Sequence, residues 1–136
     1  MSKRTITRDN LSEARILVVE DEPMLAFAFE ESLVEAGYEI AGVASRVGQA
    51  LKIIERGECD AAIIDANLAG VSAGPIASAL AALSIPYIVV SGYSQEQQQG
   101  AFHGALFIQK PCGLGDLIRA VGGLFVAPLL RLPGAP

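Results

Sequence analysis

Hydrophobic and polar positions follow two different spacings along most of this 136-residue chain. Short apolar runs rich in β-branched residues, of which residues 15–19 (RILVV) are the first, have the pattern of strands that are buried on both faces. The next segment, residues 23–38, instead repeats its apolar residues at helical spacing. Pro23 suits the first position of a helix, and Gly37 suits the residue just past its end. The opening of the chain therefore predicts a buried strand followed by a helix.

The same alternation continues to the end of the chain. Further strands are predicted at residues 38–44, 59–66, 86–92 and 105–111. Further helices are predicted at residues 47–57, 72–82, 94–104 and 114–126. Five alternating strand–helix units favour an α/β fold, with an open and mostly parallel sheet that has helices on both faces.

Composition and charge narrow the class of protein. Hydrophobic residues make up 51% of the chain, which is enough for one domain with a substantial core. The net charge is -5 at pH 7, so the charge balance favours neither nucleic acid nor an anionic membrane surface as a partner. The polar N-terminus does not resemble a signal peptide, and no apolar stretch reaches the roughly 18 residues of a membrane span. We therefore expect a soluble, cytoplasmic protein.

The cysteines and the single histidine offer little for a transition-metal site. Cys59 and Cys112 lack metal-ligand spacing, and His103 alone cannot complete a zinc site with them. We expect two reduced thiols, as is usual in cytosolic proteins.

Reactive side chains stand at the ends of four predicted strands. They are Glu20 and Asp21 after the first strand, Asp65 at the end of the third, Ser91 at the end of the fourth and Lys110 at the end of the fifth. Because the carboxyl ends of parallel strands form one edge of the sheet, binding sites usually lie there. We therefore expect these five side chains to converge on one pocket.

Three consecutive carboxylates, Glu20, Asp21 and Glu22, follow the first buried strand and would repel one another in a low-dielectric setting. Carboxylate oxygens without imidazole or thiolate partners suit a hard cation, and Mg²⁺ prefers carboxylates plus several waters. A divalent cation between the first two carboxylates and Asp65 would offset the repulsion. Glu22 is expected to point away, at the start of the first helix, where it meets the positive end of the helix dipole. The alternative that the acidic pair only caps the helix is less favoured, because Asp65 and Lys110 stand at other strand ends.

Four motifs, taken in order, resemble those of the receiver domain of bacterial two-component response regulators. They are the acidic pair in VVEDEP, the aspartate in AAIIDANLAG, the hydroxyl in VVSGY and the lysine–proline pair in IQKP, and the resemblance extends over residues 15–126. It implies a flavodoxin-like (βα)5 fold with five parallel strands in the order 2-1-3-4-5. It also implies a phosphoacceptor signalling protein, and not an enzyme beyond Mg²⁺-dependent self-phosphorylation and autodephosphorylation on Asp65.

The resemblance implies a role for each residue of the pocket. Asp65 would accept a phosphoryl group from a phosphohistidine. Glu20, Asp21, Asp65 and the backbone carbonyl of Asn67 would hold Mg²⁺, for which Mn²⁺ could substitute. Lys110 would pair with Asp65 and then with a phosphoryl oxygen.

The resemblance also implies how the signal leaves the pocket and how long it lasts. Ser91 would donate its hydroxyl to another phosphoryl oxygen and move inward, and Phe107 would follow it as the aromatic switch residue. Asn67 and Tyr93 occupy positions that flank the attacking water in this family, so they would tune the lifetime of the phosphate.

The chain departs from the common pattern of the family at three positions. Cys112 follows the lysine–proline pair where an aromatic residue is frequent, Ala69 stands where a proline is frequent, and Phe107 replaces a tyrosine. The stretch VVSGY also resembles a subgroup of stand-alone alphaproteobacterial receivers with a Phe-Ala-Thr-Gly-Tyr motif. It matches that motif in the last two residues and has serine in place of threonine.

The predicted organisation is a flexible extension over residues 1–14, a receiver domain over 15–126 and a short tail over 127–136. No DNA-binding segment follows the fifth helix, so we expect a stand-alone receiver that relays phosphate or binds a protein target. The expected partners are a histidine kinase or a histidine phosphotransfer protein, together with an unidentified downstream protein. Neither nucleic acid nor a membrane is expected as a partner.

The first helix offers a candidate docking surface. The apolar stripe that should face the sheet consists of Leu25, Phe29, Leu33 and Ala36. Phe27 and Val34 fall on the opposite side of the helix, near the acidic pocket. A phosphotransfer helix that docks beside Asp65 would meet them, although isolated exposed apolar residues are also normal.

Three other functions compete with phosphoryl acceptance. A silent receiver that serves only as an interaction module would be expected to lose the lysine or an acidic residue, which this chain keeps. A phosphatase or hydrolase with an aspartyl nucleophile would need a second acidic residue two positions later, where this chain has Asn67. A nucleotide or flavin binder would need a glycine-rich loop after the first strand, where three carboxylates would repel phosphate.

Overall fold

Strands and helices alternate along the chain in a computed structural model that describes residues 6–7, 10–92, 102 and 105–130. The strands are β1 (Arg15–Val19), β2 (Glu39–Ala44), β3 (Ala61–Asp65), β4 (Asn67–Leu68), β5 (Val71–Ser72), β6 (Tyr87–Ser91) and β7 (Leu106–Gln109). The helices are α1 (Pro23–Glu35), α2 (Val47–Glu55), α3 (Gly74–Ala82) and α4 (Leu114–Leu130). A 3₁₀ turn at Leu11–Glu13 precedes β1.

Five of the strands form one parallel sheet in the order β2-β1-β3-β6-β7. Counted as sheet strands along the sequence, this order is 2-1-3-4-5, so the predicted α/β fold and strand order are confirmed. In β1, Ile16 and Val18 face the core under α1 and α4, whereas Leu17 and Val19 face the core under α2 and α3. Burial on both faces is the reason why this strand is apolar at every position after the first.

The short strands β4 and β5 form a separate hairpin that the hydrophobic pattern does not predict. Asn67 pairs with Ser72, and Leu68 pairs with Val71. The prediction that a helix begins at residue 72 is therefore wrong, since α3 begins at Gly74. A strand of two residues is too short to show an alternation, so the hydrophobic pattern cannot separate Ser72 from the helix that follows it.

Helix α1 begins at Pro23, and Gly37 follows it with a φ of 100°, in the left-handed region that glycine adopts without steric cost. Both helix limits agree with the prediction. Phe29 and Leu33 are buried against the sheet, as predicted. Ala36 is exposed, which contradicts the predicted stripe, because it caps the end of the helix and no longer faces the core.

Both ends of the domain contact the core under α1 and α4. Helix α4 runs to Leu130, beyond its predicted end at residue 126, and buries Leu117 and Val121 among others. At the N-terminus, Ile6 and Leu11 pack against the same core, so part of the predicted extension touches the domain. The limits of the extension and of the tail stay predictions.

The predicted helix at residues 94–104 and Tyr93 lie outside the described residues, apart from Phe102, which is buried. In the part of the chain that is described, no helix has the length and apolar character needed to cross a bilayer.

Candidate functional site

The ladders of the parallel sheet bring several strand ends to one edge. Asp65 is the last residue of β3, and Ser91 is the last residue of β6. Just past β1, the N–H of Glu20 donates to the carbonyl oxygen of Ala44 at 2.9 Å. Just past β7, the N–H of Lys110 donates to the carbonyl oxygen of Ser91 at 2.7 Å. The backbone therefore holds these residues at the carboxyl edge of the sheet, where the strand order reverses.

Glu20, Asp21 and Asp65 form a compact acidic cluster at this edge. One carboxylate oxygen from each residue lies within 4.8 Å of those from the other two. Glu20 is 2% exposed and Asp65 is 6% exposed, whereas Asp21 is half-buried. Because all three donors are carboxylate oxygens and one of them faces solvent, the cluster fits a hard divalent cation that keeps several waters, such as Mg²⁺.

Lys110 places its ammonium group between two of these carboxylates. Its Nζ donates to Oε1 of Glu20 at 2.9 Å and to Oδ2 of Asp65 at 3.2 Å. Burial lowers the pKa of Lys110, but the hydrogen bond to Glu20 and the charges of both carboxylates raise it by more, so the pKa lies above its usual value. The lysine therefore stays charged and offsets part of the repulsion. The sequence predicts its contact with Asp65 but not its contact with Glu20.

Both carboxylate oxygens of Glu20 are engaged. Oε1 accepts the bond from Lys110, and Oε2 accepts the N–H of Glu22 at 3.1 Å. Burial raises the pKa of Glu20 to about 7, and the hydrogen bonds from Lys110 and Glu22 oppose this effect only in part. A divalent cation beside Glu20 would favour its ionised form. The side chain of Glu22 is exposed at the start of α1.

Both oxygens of Asp65 are also engaged. Oδ2 accepts the bond from Lys110, and Oδ1 accepts the backbone N–H of Asn67 at 3.2 Å. The side-chain Oδ1 of Asn67 accepts the N–H of Gly70 at 2.7 Å. The asparagine side chain is thus bonded to the turn of the hairpin, a contact that the sequence does not predict.

Ser91 and Phe107 lie on the same face of the sheet. Phe107 pairs with Val89, which precedes Ser91 by two residues in β6. Alternate residues of a strand share a face, and so do paired residues of neighbouring strands. Ser91 is buried, and Phe107 is half-buried against the core under α2 and α3. Phe102 packs into the same core, a position that the hydrophobic pattern of the sequence does not predict.

Cavities adjoin both the acidic cluster and Lys110. One, of about 390 Å³, is lined by Glu20 and Asp21 together with Phe27 and Val43. Phe27 is 62% exposed beside it, and Val34 is 55% exposed but does not line it. The sequence-predicted docking pair is therefore exposed, but only Phe27 lies next to the acidic residues.

The other cavity, of about 380 Å³, is lined in part by Lys110 and Glu22. Leu25 and Phe29 of α1 line it together with Pro111 and Cys112. Cys112, where an aromatic residue is frequent in the family that the sequence resembles, is thus a small residue at the wall of an apolar cavity.

Comparison with known protein families agrees with this geometry. Residues 16–122 match the response regulator receiver domain. The chain belongs to this family. Receiver domains are phosphoacceptor signalling domains that receive phosphoryl groups from histidine kinases or phosphotransfer proteins and bind Mg²⁺ at an acidic pocket. The family predicted from the four motifs is confirmed.

Among curated proteins, the receiver is similar to the transcriptional regulatory protein PdtaR of Mycobacterium tuberculosis, with 30% identity over 125 residues. The match covers 89% of this chain and 61% of PdtaR, so the chain spans less than two thirds of that relative.

Two solved structures are similar to this receiver in both sequence and fold. The solution structure of SdrG from Sphingomonas melonis Fr1 is 35% identical, with a TM-score of 0.72, and covers 83% of this chain and 97% of SdrG. The response regulator protein TrrA from Thermotoga maritima, crystallised in complex with Mg²⁺-BeF, is 30% identical with a TM-score of 0.72. That match covers 82% of this chain and 98% of TrrA. The alphaproteobacterial subgroup stays a prediction.

Proposed function

We propose that this receiver accepts a phosphoryl group on Asp65 from a histidine kinase or a histidine phosphotransfer protein, with Mg²⁺ as its cofactor and Mn²⁺ as a substitute. The observation that carries the proposal is that Asp65 contacts an ammonium group and also belongs to the acidic cluster. Its Oδ2 lies 3.2 Å from Nζ of Lys110, and its carboxylate shares a compact oxygen cluster with Glu20 and Asp21. The phosphorylated receiver then signals or relays phosphate through protein partners.

In the proposed transfer, a carboxylate oxygen of Asp65 forms a bond to phosphorus as the P–N bond of the phosphohistidine breaks. The imidazole nitrogen keeps the bonding electron pair. Charge accumulates on the equatorial phosphoryl oxygens, so positioned positive charge lowers the barrier. Lys110 supplies such a charge by moving from Asp65 to a phosphoryl oxygen. Bound Mg²⁺ would supply the rest and would be held by Glu20, Asp21, Asp65 and the backbone carbonyl of Asn67.

Ser91 and Phe107 would carry the change out of the site. Ser91 would donate its hydroxyl to a phosphoryl oxygen, and Phe107, on the same face of the sheet, would move with it. Such a coupled movement biases an element that has two packed arrangements. Asn67 and Tyr93 would set how long the phosphate lasts.

Acetyl phosphate tests the acceptor residue without a partner protein. The full chain would be incubated with it, with and without Mg²⁺, and the intact mass measured. We expect an adduct of a single phosphoryl group that requires Mg²⁺ and is absent from Asp65→Asn. Asp116→Asn is the matched control, because Asp116 is exposed on α4 and is not a member of the acidic cluster, so this variant should still be labelled.

Titration with beryllofluoride and Mg²⁺ tests the site even if the receiver does not react with small phosphodonors. The Mg²⁺-BeF complex of TrrA supports this choice of probe. If neither a phosphoryl adduct nor a beryllofluoride complex formed, the result would contradict the proposal. The chain would then be better described as a silent receiver that acts only as an interaction module.

The docking pair of α1 belongs to the same proposal. An exposed Phe27 beside the acidic cavity, with Val34 further along the helix, would give a phosphotransfer helix an apolar surface to pack on. We expect Phe27→Ala to slow transfer from a phosphorylated histidine phosphotransfer protein more than it slows labelling by acetyl phosphate. Leu83→Ala is the control, since Leu83 is also exposed but follows α3. Equal transfer rates for both variants and the wild type would contradict docking at Phe27.

A further inference from the structure

The hairpin formed by β4 and β5 follows Asp65 directly and reaches the site through Asn67. The backbone N–H of Asn67 donates to Oδ1 of Asp65 at 3.2 Å. The side-chain Oδ1 of the same residue accepts the N–H of Gly70 at 2.7 Å. Asn67 therefore connects the proposed nucleophile to the turn of the hairpin through two hydrogen bonds.

The register of the hairpin decides which way the backbone of Asn67 faces. The N–H of Ala73 donates to the carbonyl oxygen of Ala66 at 3.0 Å, so this pair is hydrogen-bonded. Hydrogen-bonded and non-hydrogen-bonded pairs alternate in an antiparallel ladder, which makes Asn67 and Ser72 a non-hydrogen-bonded pair. The N–H and C=O of one strand residue point to the same side. The carbonyl oxygen of Asn67 therefore lies on the side from which its N–H reaches Asp65.

One of the two residues in the turn that fixes this register is poorly suited to the backbone conformation of the turn. Ala69 has a φ of 53° and Gly70 a φ of 90°, as a type I′ turn requires. Glycine adopts such values freely, whereas the Cβ of alanine is crowded there. The hairpin strands have only two residues each, and so short a hairpin is marginal without further support. The bond between Asn67 and Gly70 is such a support.

We infer that Asn67 is a positioning residue for the cation. Its side chain holds the turn of the β4–β5 hairpin, and the turn holds the backbone of Asn67 against Asp65, where the carbonyl oxygen completes the cation site. This inference rests on the proposed function and gives the side chain a role different from direct contact with the attacking water. The asparagine acts on the site through its backbone.

The test compares the full-length wild type with Asn67→Ala, Ala69→Asn and the double variant. Because Asn-Gly is a preferred pair for a type I′ turn, Ala69→Asn supports the turn without a side chain at position 67. Isothermal calorimetry measures the Kd for Mg²⁺. Amide hydrogen exchange of the metal-free proteins measures the protection of Val71, which pairs with Leu68 across the turn.

We expect Asn67→Ala to weaken Mg²⁺ binding by about tenfold, a typical effect of removing an outer-shell partner, and to speed exchange at Val71. The double variant should recover both the wild-type Kd for Mg²⁺ and the wild-type protection of Val71. The Kd and the protection of Val71 must move together across the four proteins, so a variant in which either changes without the other would overturn the inference. An Asn67→Ala variant that changes neither would also overturn it. If the wild type itself does not bind Mg²⁺, the proposed function is wrong. If the wild type binds Mg²⁺ and Asn67→Ala binds it equally well, only the inference about Asn67 is wrong.

Discussion

The ammonium nitrogen of Lys110 lies 2.9 Å from Oε1 of Glu20, closer than its 3.2 Å to Oδ2 of Asp65. The lysine is therefore shared between a carboxylate proposed to hold the cation and the carboxylate proposed to accept phosphate. A cation bound to Glu20 would weaken that residue's attraction for the lysine. Lys110 would then interact with Asp65 and its phosphoryl group instead. In the proposed function, this contact would link occupation of the cation site to readiness of the acceptor.

Replacing Lys110 with alanine would leave Glu20 and Asp65 buried without their positive partner. We expect the free energy of unfolding in EDTA to fall by about 1–3 kcal/mol, because the lost partner leaves the desolvation of the carboxylates uncompensated. Mg²⁺ should then stabilise the variant more than it stabilises the wild type. Urea denaturation with and without Mg²⁺ measures both effects.

Lys52→Ala is the control for this experiment, because Lys52 is exposed on α2. If Mg²⁺ stabilised Lys110→Ala and the wild type by the same amount, the lysine and the cation would not be neutralising the same carboxylates.

Position 69 should not tolerate the proline that is frequent there in the family. Ala69 has a φ of 53°, whereas the ring of proline holds φ near −65°. We expect Ala69→Pro to open the β4–β5 hairpin and to lower the free energy of unfolding by about 1–3 kcal/mol. Ala69→Gly, which removes the crowded Cβ, should leave the hairpin intact. Nuclear magnetic resonance of the Val71 amide distinguishes the two, and an unchanged hairpin in the proline variant would contradict the type I′ geometry.

Stability should depend on the ionisation of Cys59 at alkaline pH. Burial raises the pKa of the Cys59 thiol from 9.0 to about 12, so the folded state favours the neutral thiol. A raised folded-state pKa gives a contribution to stability that is complete below pH 9 and is lost as the pH rises toward 12. Between pH 8 and pH 10, the stability of the wild type relative to Cys59→Ala should therefore fall by about 1.4 kcal/mol.

Urea denaturation of both proteins at the two pH values gives this difference, and the comparison cancels the titration of the tyrosines and lysines that they share. Cys112→Ala is the matched control, because Cys112 is only half-buried and should show a smaller pH effect. A relative stability that did not change with pH would mean that the thiol of Cys59 ionises equally well in both states.

Helix α4 should depend on packing more than on its own helix propensity, since it contains Gly122 and Gly123. We expect Leu117→Ala to lower the free energy of unfolding by about 2–5 kcal/mol, because Leu117 is fully buried. Leu114→Ala, in the same helix, should cost less than about 1 kcal/mol, because Leu114 is exposed. Similar losses in both variants would show that helix formation, and not burial, limits stability.

The main sheet could be predicted from the sequence because β1 and β3 are buried on both faces, which leaves continuous apolar runs that end in acidic residues. The hairpin could not, because the pairing of Asn67 with Ser72 involves two-residue strands and depends on a turn with alanine in the left-handed region. Local propensity argues against that turn, so only the surrounding structure could favour it.

The sequence by itself determined which side chains stand at the strand ends, because the alternation of strands and helices assigns Glu20, Asp65 and Lys110 to those positions. Tertiary structure alone decided which of them touch. Lys110 is 90 residues from Glu20 and 45 residues from Asp65 along the chain, yet it contacts both. Such distances depend on the order and register of the strands and on how deeply each carboxylate is buried. Periodicity along the chain carries no information on these quantities.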